Sequence, residues 1–193
     1  GAALRAVSPV RLMRLALEER AVRNALAPAP ATLIAAGKAA DGMVEGLLSS
    51  ASIEIRGGVA VGPASPAVMP DGVSWYHGGH PLPDKGSAEA GSAALRCVSE
   101  APESGVVLVL LSGGASALLA LPADGLELED KIATTRTLLG AGVPIHELNC
   151  VRKHLSDVKG GRLALVGKSR MLTLAISDVV GPVEDDPAVI GSG

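Results

Sequence analysis

The sequence contains no phenylalanine, one tryptophan and one tyrosine in 193 residues. The aromatic platforms on which single-stranded nucleic acid stacks its bases are therefore missing, and a core has to be assembled from Ala, Val, Leu and Ile. Charge is scarce as well. Asp, Glu, Lys and Arg make up 19% of the chain and the formal net charge is -3, which argues against a protein that coats nucleic-acid phosphates or an anionic membrane. Cysteine is limited to Cys97 and Cys150, with no CxxC pair and no His/Cys cluster. That usage fits buried thiols in a reducing cytoplasm better than a disulfide framework or a zinc site. The longest apolar run, Val106 to Leu111, stops at Ser112-Gly113-Gly114, far short of the ~20 residues that span a bilayer. No secretory leader is read at the start, because Gly1 to Arg5 leads into Pro9 and then Arg11, Arg14, Glu18, Glu19 and Arg20.

What is present is enough to fold. A composition 48% hydrophobic excludes intrinsic disorder, and the 24 Gly and 13 Pro follow no collagen period. The length fits one to one and a half domains at ~150 residues each, and residues 1–193 are read as one α/β domain. Gly1 and the Gly191-Ser192-Gly193 end read as trimmed termini of a longer polypeptide.

Short apolar runs predict strands at Thr32–Ala36, Gly58–Val61, Val73–His77, Val106–Leu111 and Met171–Ile176. Helical spacing predicts one helix from Pro9 to Leu26, a second through Ala40, Met43, Val44 and Leu47, and others over Ser87–Ala101 and Glu127–Leu139. Gly57 to Pro70 reads as a loop-rich connection. Strands alternating with helices predict an α/β fold with a mostly parallel sheet flanked by helices.

Several segments carry residues suited to chemistry. In Ala35-Ala36-Gly37-Lys38-Ala39-Ala40 a glycine turns the chain after a strand, and the next helix offers free amides to an anion beside the Lys38 charge. A solvated turn is the competing reading, and the GxxxxGK[ST] pattern is absent. In Leu110-Leu111-Ser112-Gly113-Gly114-Ala115-Ser116 the glycines let successive amides face one oxyanion, with Ser112 and Ser116 as hydroxyl donors. A helix cap at either serine is the alternative. Asn149, Arg152, Lys153 and Ser156 share one helical face, opposite a seam of Leu148, Val151, Leu155 and Val158. Arg152 to Arg170 contains six of the 17 Lys and Arg, Lys159 among them, against one acid, Asp157. This suggests an anionic ligand, with a solvated basic face as the alternative. Gly78-Gly79-His80-Pro81-Leu82-Pro83-Asp84 is a rigid loop at a strand end, where His80 is either functional or a turn residue. Asp178, in Ile176-Ser177-Asp178-Val179-Val180, has the strand-end position of a magnesium or hydroxyl ligand, or of a helix cap. Glu184, Asp185 and Asp186 add carboxylates beyond it.

Together these strings, with Glu147-Leu-Asn-Cys-Val-Arg-Lys-His-Leu-Ser-Asp-Val-Lys-Gly-Gly-Arg-Leu-Ala164, resemble the glycerate 2-kinase family in order and spacing along nearly the whole chain. The resemblance implies a Rossmann-like layered domain that phosphorylates glycerate to 2-phosphoglycerate with ATP and Mg²⁺ in the cytoplasm, and a catalytic lysine at Lys38. On this reading Asp178 holds magnesium or orients the attacking hydroxyl. Arg152, Lys153 and Lys159 bind carboxylate or phosphate, and Gly37, His80, Asp84, Ser112, Gly113, Gly114, Ser116 and Asn149 line the nucleotide and substrate site. Family members are longer and carry a C-terminal domain that supplies a catalytic arginine. These residues are therefore expected to form the N-terminal large domain and to be inactive alone, with neither nucleic acid nor membrane as partner and a homo-oligomer left open. The rival reading is a non-catalytic anion or sugar-phosphate binding module, or an inactive remnant of the kinase.

Overall fold

The structure is a computed structural model that describes residues 7–27, 29–50, 53–177, 179, 185–186 and 189–192. Five strands form one all-parallel sheet: β1 (Ala31–Ala36), β2 (Ile55–Gly62), β3 (Val73–His77), β4 (Val106–Leu111) and β5 (Arg170–Ala175). Their spatial order is β3-β2-β1-β4-β5, the doubly wound arrangement expected for a Rossmann-like sheet. The helices are α1 (Pro9–Glu18), α2 (Arg20–Leu26), α3 (Ala40–Ser50), α4 (Lys85–Glu100), α5 (Ala115–Leu118), α6 (Leu128–Gly140), α7 (Ile145–His154) and α8 (Arg162–Leu165), followed by a 3-10 turn at Ile190–Ser192.

Helices cover both faces of the sheet, so its central strands are apolar on both sides rather than alternating. The two-residue strand period sorts them. Ile34, Ala36, Val107 and Val109 pack with Ala90, Ala94 and Val98 of α4, whereas Leu33, Ala35, Leu108 and Leu110 pack with Met13 and Leu17 of α1 and Met43, Val44 and Leu47 of α3. No aromatic side chain belongs to the fully buried set. Trp75 on β3 is half-buried at the margin of the second cluster, edge-on to His77 at 6.4 Å between ring centroids. Among the described residues no helix is long and apolar enough to cross a membrane.

Three local features depart from the sequence reading. The expected first helix is broken at Glu19, which is extended (φ -64, ψ 129) and ends α1 before α2 begins. Neither Gly nor Pro marks that break. The basic segment is not one helix. α7 starts after Pro144 and stops at His154, and Ser156 then pairs as a bridge with Pro122. Finally, Cys97 is half-buried and Cys150 exposed, so the expected pair of buried thiols is corrected; Cys150 lies on the outward side of α7.

Candidate anion-binding site at the sheet's switch point

Strands β1 and β4 run side by side in register, Ala36 opposite Leu111, while their following connections diverge to opposite flanks of the sheet. Ligands in open α/β sheets bind at such a crevice, beyond the carboxyl ends of the strands. Here the two connections are laced together. The Lys38 amide donates to the Gly113 carbonyl at 2.9 Å, the Ala39 amide to the Ser112 hydroxyl at 3.0 Å, and the Ser112 amide to the Ala36 carbonyl at 3.0 Å. Gly37 has φ +135, and a Cβ there would run into the Ser112 side chain and carbonyl. Only glycine lets the two loops approach this closely.

Gly114, at φ +87, is the second position where a side chain is excluded. A Cβ on it would stand 2.9 Å from His80 Cδ2 and 3.3 Å from Lys38 Cγ. The His80 ring and the Lys38 stem therefore meet over the Gly113-Gly114 turn. Lys38 is exposed. Beside this point lies a cavity of about 460 Å³ lined by His80, Ser112, Gly113, Gly114, Ser116, Asn149 and Arg152, with Leu139, Ile145, Leu148 and Ile176 on its apolar wall. No Asp or Glu belongs to its described lining. Burial and the charges of Lys38 and Arg152 lower the His80 pKa, so the ring is neutral near pH 7. The Arg152 guanidinium donates to Asn149 Oδ1 at 3.3 Å, and burial lowers its pKa. The arrangement offers an anion two cations and neutral donors in a partly desolvated niche.

Ser112, Gly113, Gly114, Ser116, His80, Asn149 and Arg152 thus share one cavity, with Lys38 and Gly37 at its rim. Three expected site residues are elsewhere or engaged otherwise. Asp84 caps α4, accepting from the Ser87 amide at 2.9 Å and hydroxyl at 3.1 Å. Burial alone would raise its carboxyl pKa, but these bonds bring it below the ordinary value. The Lys159 ammonium is buried, donating to the carbonyls of Leu119 at 3.0 Å and Gly191 at 3.4 Å. It knits the fold together and does not face the cavity. Lys153 is absent from the lining, its stem lying near Gly160 and its carbonyl accepting from Arg162. Asp178 and Glu184 lie outside the described residues.

Two residues near the site escaped the sequence reading. Ser192 is fully buried, its hydroxyl 2.5 Å from that of Ser116 and 3.1 Å from Asn149 Oδ1. A terminal Gly-Ser-Gly carries no signal of such a position. Lys131 of α6 is buried and donates to the Leu155 carbonyl at 2.7 Å. Burial and the Arg152 charge lower its pKa to about 8, opposed by Asp157. The same causes, burial first and then the Arg152 and Lys131 charges, push the Lys159 pKa well down.

Fold and site define a doubly wound α/β domain with a cation-rimmed cavity at its switch point. The chain belongs to the family described as a domain of unknown function, DUF4147, which it matches over residues 1–193. It is 42% identical over 161 residues, 83% of its length, to a protein of Pyrococcus horikoshii named glycerate 2-kinase, of which the match covers 36%. It is also 42% identical over 162 residues to an Agrobacterium vitis protein provisionally named hydroxypyruvate reductase, covering 83% of this chain and 41% of that one. The crystal structure of a glycerate kinase from Thermotoga maritima superposes with a TM-score of 0.85 at 38% identity, over 100% of this chain and 45% of the other. The chain spans less than half the length of each of these relatives.

Proposed function

We propose that this chain supplies one wall of the cleft of an ATP-dependent glycerate 2-kinase, the other wall coming from a second domain of the kind its longer relatives have room for. The observation that carries the reading is the convergence of Lys38, His80 and Arg152 on a cavity whose described lining bears no carboxylate, in a chain similar to proteins named glycerate kinase. Phosphoryl transfer calls for positioning and charge neutralisation more than for a protein nucleophile. Lys38 steadies the oxygens of the transferred group. Arg152, held by Asn149, takes the glycerate carboxylate or a nucleotide phosphate, and the Gly113-Gly114 turn and the Ser112 hydroxyl complete the donor set.

Magnesium is part of this reading as an ion that neutralises the nucleotide phosphates when bound. The described residues include no group of three or more His, Cys, Asp or Glu suited to a metal; on this reading Asp178 would be the protein's ligand and phosphate oxygens the nucleotide's. A cytoplasmic setting, where ATP and reduced thiols occur, belongs to the same reading. A nicotinamide-dependent reductase is less well supported, because the first strand-helix turn reads Ala36-Gly37-Lys38-Ala39-Ala40 and lacks the GxGxxG fingerprint. The test is ADP release from ATP, Mg²⁺ and glycerate by this chain and by the form that carries the second domain, with ³¹P NMR of the product. Glycerate-dependent ADP release and 2-phosphoglycerate from the longer form, with little from this chain, is the expected result. Ligand binding without turnover by either form would return the domain to a non-catalytic anion-binding module, and full turnover by this chain would remove the second wall from the proposal.

A further inference from the structure

The described residues include four histidines, and three of them have partners. His77 Nε2 is 3.3 Å from the Ser65 hydroxyl, His154 Nδ1 is 2.8 Å from the Cys150 carbonyl, and His146 Nε2 is 3.7 Å from the Glu147 carboxylate. His80 is the fourth. Among the described residues neither of its ring nitrogens has a hydrogen bond, although the ring lines the cavity and rests against the Gly114 turn beside Lys38. A neutral imidazole beside two cations carries no charge with which to bind an anion, but its free lone pair is kept unprotonated and so available to a proton donor bound in the cavity.

Resting on the kinase reading above, we infer that His80 is the catalytic base, accepting the proton of the substrate hydroxyl during phosphoryl transfer. The balance is complete. The hydroxyl oxygen forms a bond to the γ-phosphorus, the bond from that phosphorus to the β-phosphate oxygen breaks and leaves with ADP, and the hydroxyl proton passes to the His80 lone pair. The resulting imidazolium then returns its proton to solvent. Among the described residues the charged groups that bear on the ring are of one sign. Lys38 comes from the turn after β1 and Arg152 from α7. The turn after β4 adds the uncharged Ser112, Gly113 and Gly114 to the cavity lining, and Asp84 of the ring's own loop is committed to the cap of α4. The cations keep the resting imidazole unprotonated. They also make the imidazolium short-lived, so that the base is regenerated for the next turnover.

The experiment is a pH–rate profile of glycerate-dependent ADP release for wild type, His80→Gln and His80→Asn, in the form that carries the activity, with thermal midpoints as folding controls. The wild-type kcat/KM is expected to fall at acid pH along a limb centred below 6.5. Both variants are expected to lose on the order of 10² to 10⁴ in kcat, with KM for glycerate changed by no more than a few-fold and the acid limb gone. In a ring-proton NMR titration, His80 is expected to titrate below 6.5 and to move upward in Lys38→Met. Variants that keep kcat, or an acid limb that survives them, would overturn the inference and leave the kinase reading standing. A wild-type protein without glycerate-dependent turnover would overturn both.

Discussion

The Ser112 hydroxyl, at the end of β4, accepts a hydrogen bond of 3.0 Å from the Ala39 amide at the start of α3. A side chain carried by one strand thus caps the helix that follows its neighbour, and the hydroxyl hydrogen stays available to a ligand in the cavity. Ser112→Ala removes both functions. It is expected to destabilise the fold by about 1 kcal/mol, as loss of a helix cap does, and to weaken anion binding as well. Urea midpoints and phosphate titrations of the same protein separate the two. An unchanged midpoint with weaker binding would show that the cap is energetically idle.

Lys38→Ala is expected to do the opposite. The side chain is exposed, so its loss should shift stability by no more than ~0.5 kcal/mol. Removing a preorganised cation from the transferring phosphoryl group is expected to lower turnover by about 10² to 10³. Activity and thermal midpoint measured on one preparation check the prediction, and a variant that is inactive because it is unfolded would refute it.

Arg152 acts on two groups at once. Arg152→Gln is expected to weaken nucleotide or glycerate affinity by roughly ten to a hundredfold, the effect of one charge-assisted contact worth ~1.5 to 3 kcal/mol. It should also raise the His80 pKa, because the guanidinium charge contributes to lowering it. Calorimetry and the ring-proton titration report the two effects separately.

Lys131 sets a pH dependence of stability. Its pKa in the fold is about 8 against 10.5 for the free side chain, so the unfolded chain binds more protons between those values and stability rises with pH across the window. The gain is complete above 10.5 and is lost as pH falls through about 8. Lys131→Met should flatten that part of the stability curve. Denaturant midpoints between pH 8 and 10.5 that rise equally in wild type and variant would sink the assignment.

The strands were legible in the sequence because an all-parallel sheet buries both faces, which leaves unbroken apolar runs such as Val106–Leu111. The Gly37 and Gly113-Gly114 turns were legible for a related reason, since backbone constraint selects glycine wherever it is found. Spacing failed where helical and non-helical chain share a pattern. Arg152 and Ser156 satisfy one helical period, yet the helix ends at His154 and Ser156 turns inward to the Leu121 carbonyl at 3.0 Å. Asp84 was read as a site residue, whereas its spacing to Ser87 is that of a capping box, the role it takes in the fold. Lys159 shows a broader limit, because a local excess of basic residues does not reveal which ammonium folds inward to backbone carbonyls.

The near absence of aromatic side chains gives the protein an unusually simple optical signature. Its intrinsic emission comes almost wholly from Trp75, on the edge strand that leads through His77 into the loop bearing His80. The indole N–H is buried without a hydrogen-bond partner among the described residues, so that edge of the ring is shielded from water and emission toward the blue is expected. A red shift on titration with denaturant would therefore report the loosening of the β3 margin alone. Where that shift precedes the loss of helical circular dichroism, the β3 margin beneath the His80 loop opens before the body of the domain does.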